Sequence, residues 1–184
     1  TGITMEALTM DLHPAHILAS SRLVTRVFLA AMFALSGAWA HAQAPSYAQA
    51  QQALQAGQYT TAFQAFQALA REGDAASQFQ LSLLYRSGRG VAPNAQQALQ
   101  WLQRAAQGRN AEALSNLGGE YARGQSVRQD KVKALALFLL AQAQGADVGG
   151  SNAQTVARTL SAAQIAQAQA MAQGCHTGPM QPCM

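Results

Sequence analysis

The sequence predicts an all-α chain, a solenoid of stacked helical hairpins with about eight helices following a cleaved export signal. Three observations carry this expectation. Ala75, Leu81, Tyr85, Gly88, Val91, Ala98, Leu99 and Ala105 recur 36 residues later as Ala111, Leu117, Tyr121, Gly124, Val127, Ala134, Leu135 and Ala141, with no insertion. Inside each copy the apolar residues fall at helical spacing and are broken once by a glycine-containing turn. A fixed period of this length, with small and large apolar residues at set places, marks a repeat array instead of a single closed core.

In the first copy, Ala75, Phe79, Leu81 and Leu83-Leu84-Tyr85 make one helix, which Ser87-Gly88-Arg89-Gly90 halts. A second helix carries Ala98, Leu99, Trp101, Leu102, Ala105 and Ala106. Asn94 is placed to cap it, with Gln97 three residues on as in a capping box, and Asp130 takes the same place in the second copy. The alanines at Ala98, Ala105, Ala134 and Ala141 let helices approach closely, while Leu81, Tyr85 and Trp101 fill the spaces between them.

These residues resemble the Sel-one-like repeat family, a relative of the tetratricopeptide repeat. The first copy carries its pattern in Leu81-Ser82, Tyr85, Gly88-Arg89-Gly90-Val91, Asn94, Gln97-Ala98, Trp101 and Arg104-Ala105-Ala106. The second carries it in Leu117-Gly118, Tyr121, Gly124, Val127, Asp130, Lys133-Ala134 and Ala141. Departures are Ser82 for Gly, Ser126 for the second Gly, Leu137 for Trp, Leu140 for Lys, and Arg109 where Gly is usual. The resemblance implies an adaptor that binds a protein or peptide. Carried over from tetratricopeptide geometry, it implies that Phe79, Leu83, Arg86, Glu112 and Arg123 face inward to meet a partner, although Phe79 and Leu83 equally suit burial under the preceding helix. Leu81, Tyr85, Gly88, Val91, Ala98, Trp101, Leu117, Tyr121, Gly124, Val127 and Ala134 are then spent on packing.

Residues 1–42 read as a leader, with the export signal at 22–42. Arg22 and Arg26 precede an apolar run from Val27 to Leu35, and Ser36-Gly37 leads to small-residue sites ending at Ala40 and Ala42. Val27 to Ala40 is 14 residues, short of the roughly 20 that a spanning helix needs. The expectation is therefore cleavage after Ala42, no membrane span thereafter, and a periplasmic location. No cysteine stands near the site to take a lipid.

Residues 43–73 read as a degenerate helix pair, 74–109 and 110–145 as the two repeats, 146–173 as capping helices and 174–184 as a tail. Ser46 with Gln49 opens the first helix of that leading pair. Tyr59, Ala62, Phe63, Phe66 and Leu69 mark the second, whose Ala62 and Phe66 fall on Ala98 and Leu102 after a 36-residue shift. Gly149-Gly150-Ser151-Asn152 reads as a loop, Ala153 to Leu160 as helix, and Ser161 with Gln164 as the cap of a last helix. The tail's glycines and prolines argue against helix from Gly174 onward.

Both cysteines, Cys175 and Cys183, lie in the tail, and export would favour a disulfide between them. Open thiols are a second reading, and a soft-metal site for copper(I), using Cys175, His176, Met180, Cys183 and Met184, is a third. No cofactor is expected, and catalysis is not: beyond residue 42 the chain has a single histidine, His176, too few for a histidine-based triad in the folded part. Glu112 and Glu120, two turns apart, read as a solvated face. The ten basic and six acidic residues beyond residue 42 are scattered, with no aromatic platform among the cations, which argues against nucleic acid. A structural or self-assembling role in the envelope is the rival to the adaptor.

Overall fold

The computed structural model describes residues 45–184, so the export-signal segment falls outside the described residues. Eight α-helices follow one another: α1 Tyr47–Gln55, α2 Tyr59–Arg71, α3 Ala75–Ser87, α4 Ala95–Gln107, α5 Ala111–Arg123, α6 Lys131–Ala143, α7 Asp147–Ala157 and α8 Ala162–Thr177. A terminal 3-10 turn spans Gln181–Cys183, and no strand occurs among the described residues. Helices α2, α4 and α6 begin 36 residues apart, as do α3, α5 and α7.

Side-chain caps set those starting points. The side chains of Asp74, Asn94, Asn110 and Asp130 accept from the backbone N–H groups of Ser77, Gln97, Ala113 and Lys133 at 2.8 to 3.0 Å. Each satisfies one of the orphan donors at a helix start. Ser46 and Ser161 form complete capping boxes with Gln49 and Gln164. At Asn94 only the first half of the box forms.

The stops repeat as well. Gly88 and Gly124 end α3 and α5 in the left-handed region, at φ 71° and 69°. Residues 73, 109 and 145 lie there too, at φ 96°, 60° and 91°. Beside them the same backbone hydrogen bond forms three times: Asp74 N to Leu69 O, Asn110 N to Ala105 O and Ala146 N to Ala141 O, at 2.9 to 3.1 Å. Tyr85 O and Tyr121 O likewise accept from the N–H of Asn94 and of Asp130, at 2.9 and 3.0 Å.

Each first helix packs between the two second helices that flank it: α3 against α2 and α4, α5 against α4 and α6. One apolar cluster joins α1, α2 and α3 around Phe66 and Leu81, with Trp101 leaning on it; a larger one runs from α4 to the tail around Leu117, Leu137 and Leu140. Ala98, Ala105, Ala134 and Ala141 are all buried, the last three within the larger cluster. Val91 and Val127 differ from their expected packing role. They sit half-buried in the turns and belong to neither cluster, because the turns lie at the ends of the helices and outside the layers.

Two expectations about the last part of the chain need correction. The stretch Gly149 to Asn152 is helical, inside α7. A Cβ at Gly149 would lie 2.9 Å from both Phe138 O and Gln142 N, so this glycine lets α7 touch the backbone of α6. It stands 36 residues beyond Ala113 and 72 beyond Ser77, both fully buried, so the first helix of each unit presents a small residue at the matching position. The period thus continues structurally after Gly145.

The tail does not bar helix either: α8 runs through Gly174 to Thr177. It packs chiefly on α6, more than on its sequence neighbour α7. Two ties hold its end. Cys175 and Cys183 are disulfide-bonded and fully buried, with Cα atoms 6.5 Å apart. The Arg109 guanidinium donates to the carbonyls of His176 and Gly178, at 3.0 and 2.9 Å, which places a cation on the helix's negative end. That reach gives the arginine a use at a left-handed position where glycine would be the easier fit.

Candidate interaction surface

Each first helix buries one stripe and leaves another half-buried to exposed, with Ser87, Glu112 and Arg123 its exposed members. On α3 that second stripe is Ala76, Gln80, Leu83 and Ser87; on α5 the matching positions are Glu112, Asn116, Gly119 and Arg123. The i, i+3 and i+4 spacing puts each set on one helix face, and the 36-residue register pairs them member by member. Of the five side chains expected to face a partner, the structure brings three to these stripes: Leu83, Glu112 and Arg123. Leu83 is half-buried and packs against neither apolar cluster. Glu112 is exposed, with no partner for its carboxylate among the described residues.

For Phe79, burial is the alternative expectation. The residue is half-buried against the larger cluster, since a bulky apolar ring gains more from that contact than from water. Arg86 lies one position round the helix from Leu83. It is exposed and borders a small cavity of about 110 Å³ with Ser82, Leu99, Leu102, Glu120 and Ser126.

Glu120 is where the reading of a solvated face fails. It is only 8 % exposed. One carboxylate oxygen accepts from Arg123 at 3.2 Å, and the other has no hydrogen-bond partner among the described residues. The Arg123 side chain folds back over Gly119 to make that pair. Nothing in the charge pattern marked Glu120, which lines the small cavity together with Leu99 and Leu102 from α4 of the neighbouring repeat.

The cations are also less scattered than the sequence suggests. Arg128, Lys131 and Lys133 line one polar cleft of about 610 Å³ together with Tyr121, Thr159 and Gln164. Lys133 lies 5.3 Å from the centre of the Tyr121 ring and donates to the Met184 carbonyl. Burial, with the nearby Asp130 charge, raises the Tyr121 phenol above its ordinary value. The linear signal was present in Arg128-Gln129-Asp130-Lys131-Val132-Lys133. Its convergence with α8 was not legible.

Among the described residues no group of three or more His, Cys, Asp or Glu side chains is placed to hold a metal, and no helix is long and apolar enough to cross a membrane. The disulfide commits both cysteine sulfurs of the copper reading, and Met180 is buried in the core.

A scan against family models matches the Sel1 repeat twice, at residues 75–110 and 111–145. Among solved structures, the chain is similar to c5321, titled a protective antigen present in uropathogenic Escherichia coli strains displaying an SLR fold. That match has a TM-score of 0.66 at 27 % identity and covers 73 % of this chain and 30 % of that one. A Sel1 repeat protein from Oxalobacter formigenes also matches, at TM-score 0.49 and 26 % identity, over 51 % of this chain and 39 % of that one. The chain spans less than half the length of either. No curated protein shows significant similarity.

Proposed function

The chain carries two Sel1 repeats, and from that premise we propose that it is an exported protein-interaction scaffold with no catalysis of its own. Repeats of this kind stack to bury one face of each helix and leave another open, and an open face on a rigid stack suits the docking of a peptide or helix. The observation that carries the proposal is the pair of matched stripes on α3 and α5. Leu83 offers apolar surface on the α3 stripe, and Glu112 supplies a free carboxylate on the matching α5 stripe. The arginine at 123 belongs to the same surface through its stem, with its head paired to Glu120. Arg86 borders the stripe and supplies a cation without a partner among the described residues. Export, with a periplasmic location, rests on the basic, apolar and small-residue order of residues 22–42.

Crosslinking in the native cell envelope would supply a captured partner for the test. A Leu83→Ala, Glu112→Ala double variant with unchanged circular dichroism is expected to bind it about tenfold more weakly, two modest contacts' worth. Unchanged affinity in the folded variant would remove this surface from the binding reaction.

A further inference from the structure

The polar cleft between the α5–α6 turn and the start of α8 has charge that the packing of the fold does not use. Three of the six acidic residues among residues 45–184 are committed elsewhere or locally: Asp74 and Asp130 cap helices, and Glu120 is buried on Arg123. Arg128 and Lys131 have no hydrogen-bond or carboxylate partner among the described residues. Lys133 donates to a main-chain oxygen of Met184 and lies over the Tyr121 ring, two contacts that fix the position of its ammonium. The hydroxyl of Tyr121 and the amide N–H groups of Gln164 add neutral donors to the same walls, while the Thr159 hydroxyl is spent on the Val156 carbonyl.

We propose that this cleft binds an acidic peptide segment of a protein partner, one with several spaced carboxylates. The inference rests on the scaffold reading but concerns a different surface from the α3 and α5 stripes. Size and spacing decide the ligand class. A cleft of about 610 Å³ is in the range of ligand-sized pockets. Its cations come from a turn and from the first turn of a helix, so they meet spaced charges better than one compact dianion. The N-terminal end of α6, the usual seat of a phosphate, already has the Lys133 N–H taken by the Asp130 carboxylate, whose charge opposes a phosphate at that point. Arg128, Lys131 and Lys133 outnumber Asp130 among the lining residues, leaving the cleft net positive.

The test uses the full chain and a short fluorescein-labelled oligoglutamate, followed by fluorescence anisotropy. Saturable binding that weakens with added salt is expected. An Arg128→Gln, Lys131→Gln double variant should bind about tenfold more weakly, as expected from losing two charged contacts. An Arg71→Gln, Arg158→Gln double variant removes the same charge from exposed positions elsewhere and should stay within about twofold of the parent. Equal loss in both variants would mean that overall charge, not this cleft, attracts the peptide, and would overturn the proposal. Absence of saturable binding, or displacement of the peptide by inorganic phosphate at equal charge concentration, would overturn it as well. The Leu83→Ala, Glu112→Ala variant should bind oligoglutamate normally, so failure of the cleft and failure of the stripe are read separately.

Discussion

Alanine at Gly90 is expected to lower the free energy of unfolding by about 2–4 kcal/mol, because this position has the tightest surroundings of the glycines among the described residues. Two terms combine. Gly90 sits at φ 75°, where a side chain is strained by about 1 kcal/mol. A Cβ there would stand 2.2 Å from Tyr59 O, 2.5 Å from Tyr59 C and 2.9 Å from Thr60 N. Those atoms are backbone at the start of α2, so they cannot swing aside. The turn of the first repeat is thus wedged against the preceding helix pair, and the added methyl group must push the two units apart. Urea denaturation reads the effect as a lower midpoint at unchanged slope. Gly73→Ala is the matched control: its φ is 96° but nothing lies within 4 Å of the added carbon, so only the backbone term of about 1 kcal/mol should appear.

Leu117→Ala is expected to cost about 3 kcal/mol, and Leu81→Ala a similar amount. Both side chains are fully buried, 36 residues apart, and each lies at the centre of its own cluster. Removing three carbons from either leaves a void between a first helix and the second helices around it. Neighbouring rigid helices close such voids only partly. The comparison carries more than either number. Equivalent positions in nested units should lose comparable stability, whereas a stack that used only one of the two copies would show one large and one small loss. Thermal or urea unfolding of the two single variants measures both.

The residues that declared the fold were those whose partners lie in the same or the next unit. The alanines at 98, 105, 134 and 141 and the caps at 94 and 130 are local in this sense, and their places in the fold follow from spacing alone. Gly149 shows where local reasoning stops. In sequence it stands in a run of glycines and reads as a breaker; in the structure the absence of a side chain is what lets α7 approach Phe138 O. Gly174 misleads in the same way, because the disulfide and Arg109 hold α8 together past it. The surface was harder still. Leu83 and Glu112 follow from helix periodicity, but the burial of Glu120 depends on α4, and the cleft around Lys131 depends on α8 returning to α6. Contacts between elements far apart in the chain leave no periodic trace.

The nesting of equivalent units is tested most directly by amide hydrogen exchange resolved residue by residue. The N–H groups of Asp74, Asn110 and Ala146, and those of Asn94 and Asp130, each close the same hydrogen bond at 36-residue intervals. The account expects protection at all five, similar within each set, and lost together when the stack unfolds. Free exchange at Asn110 or Asp130 while Asp74 and Asn94 stay protected would show that the second unit does not repeat the first, and would contradict the account.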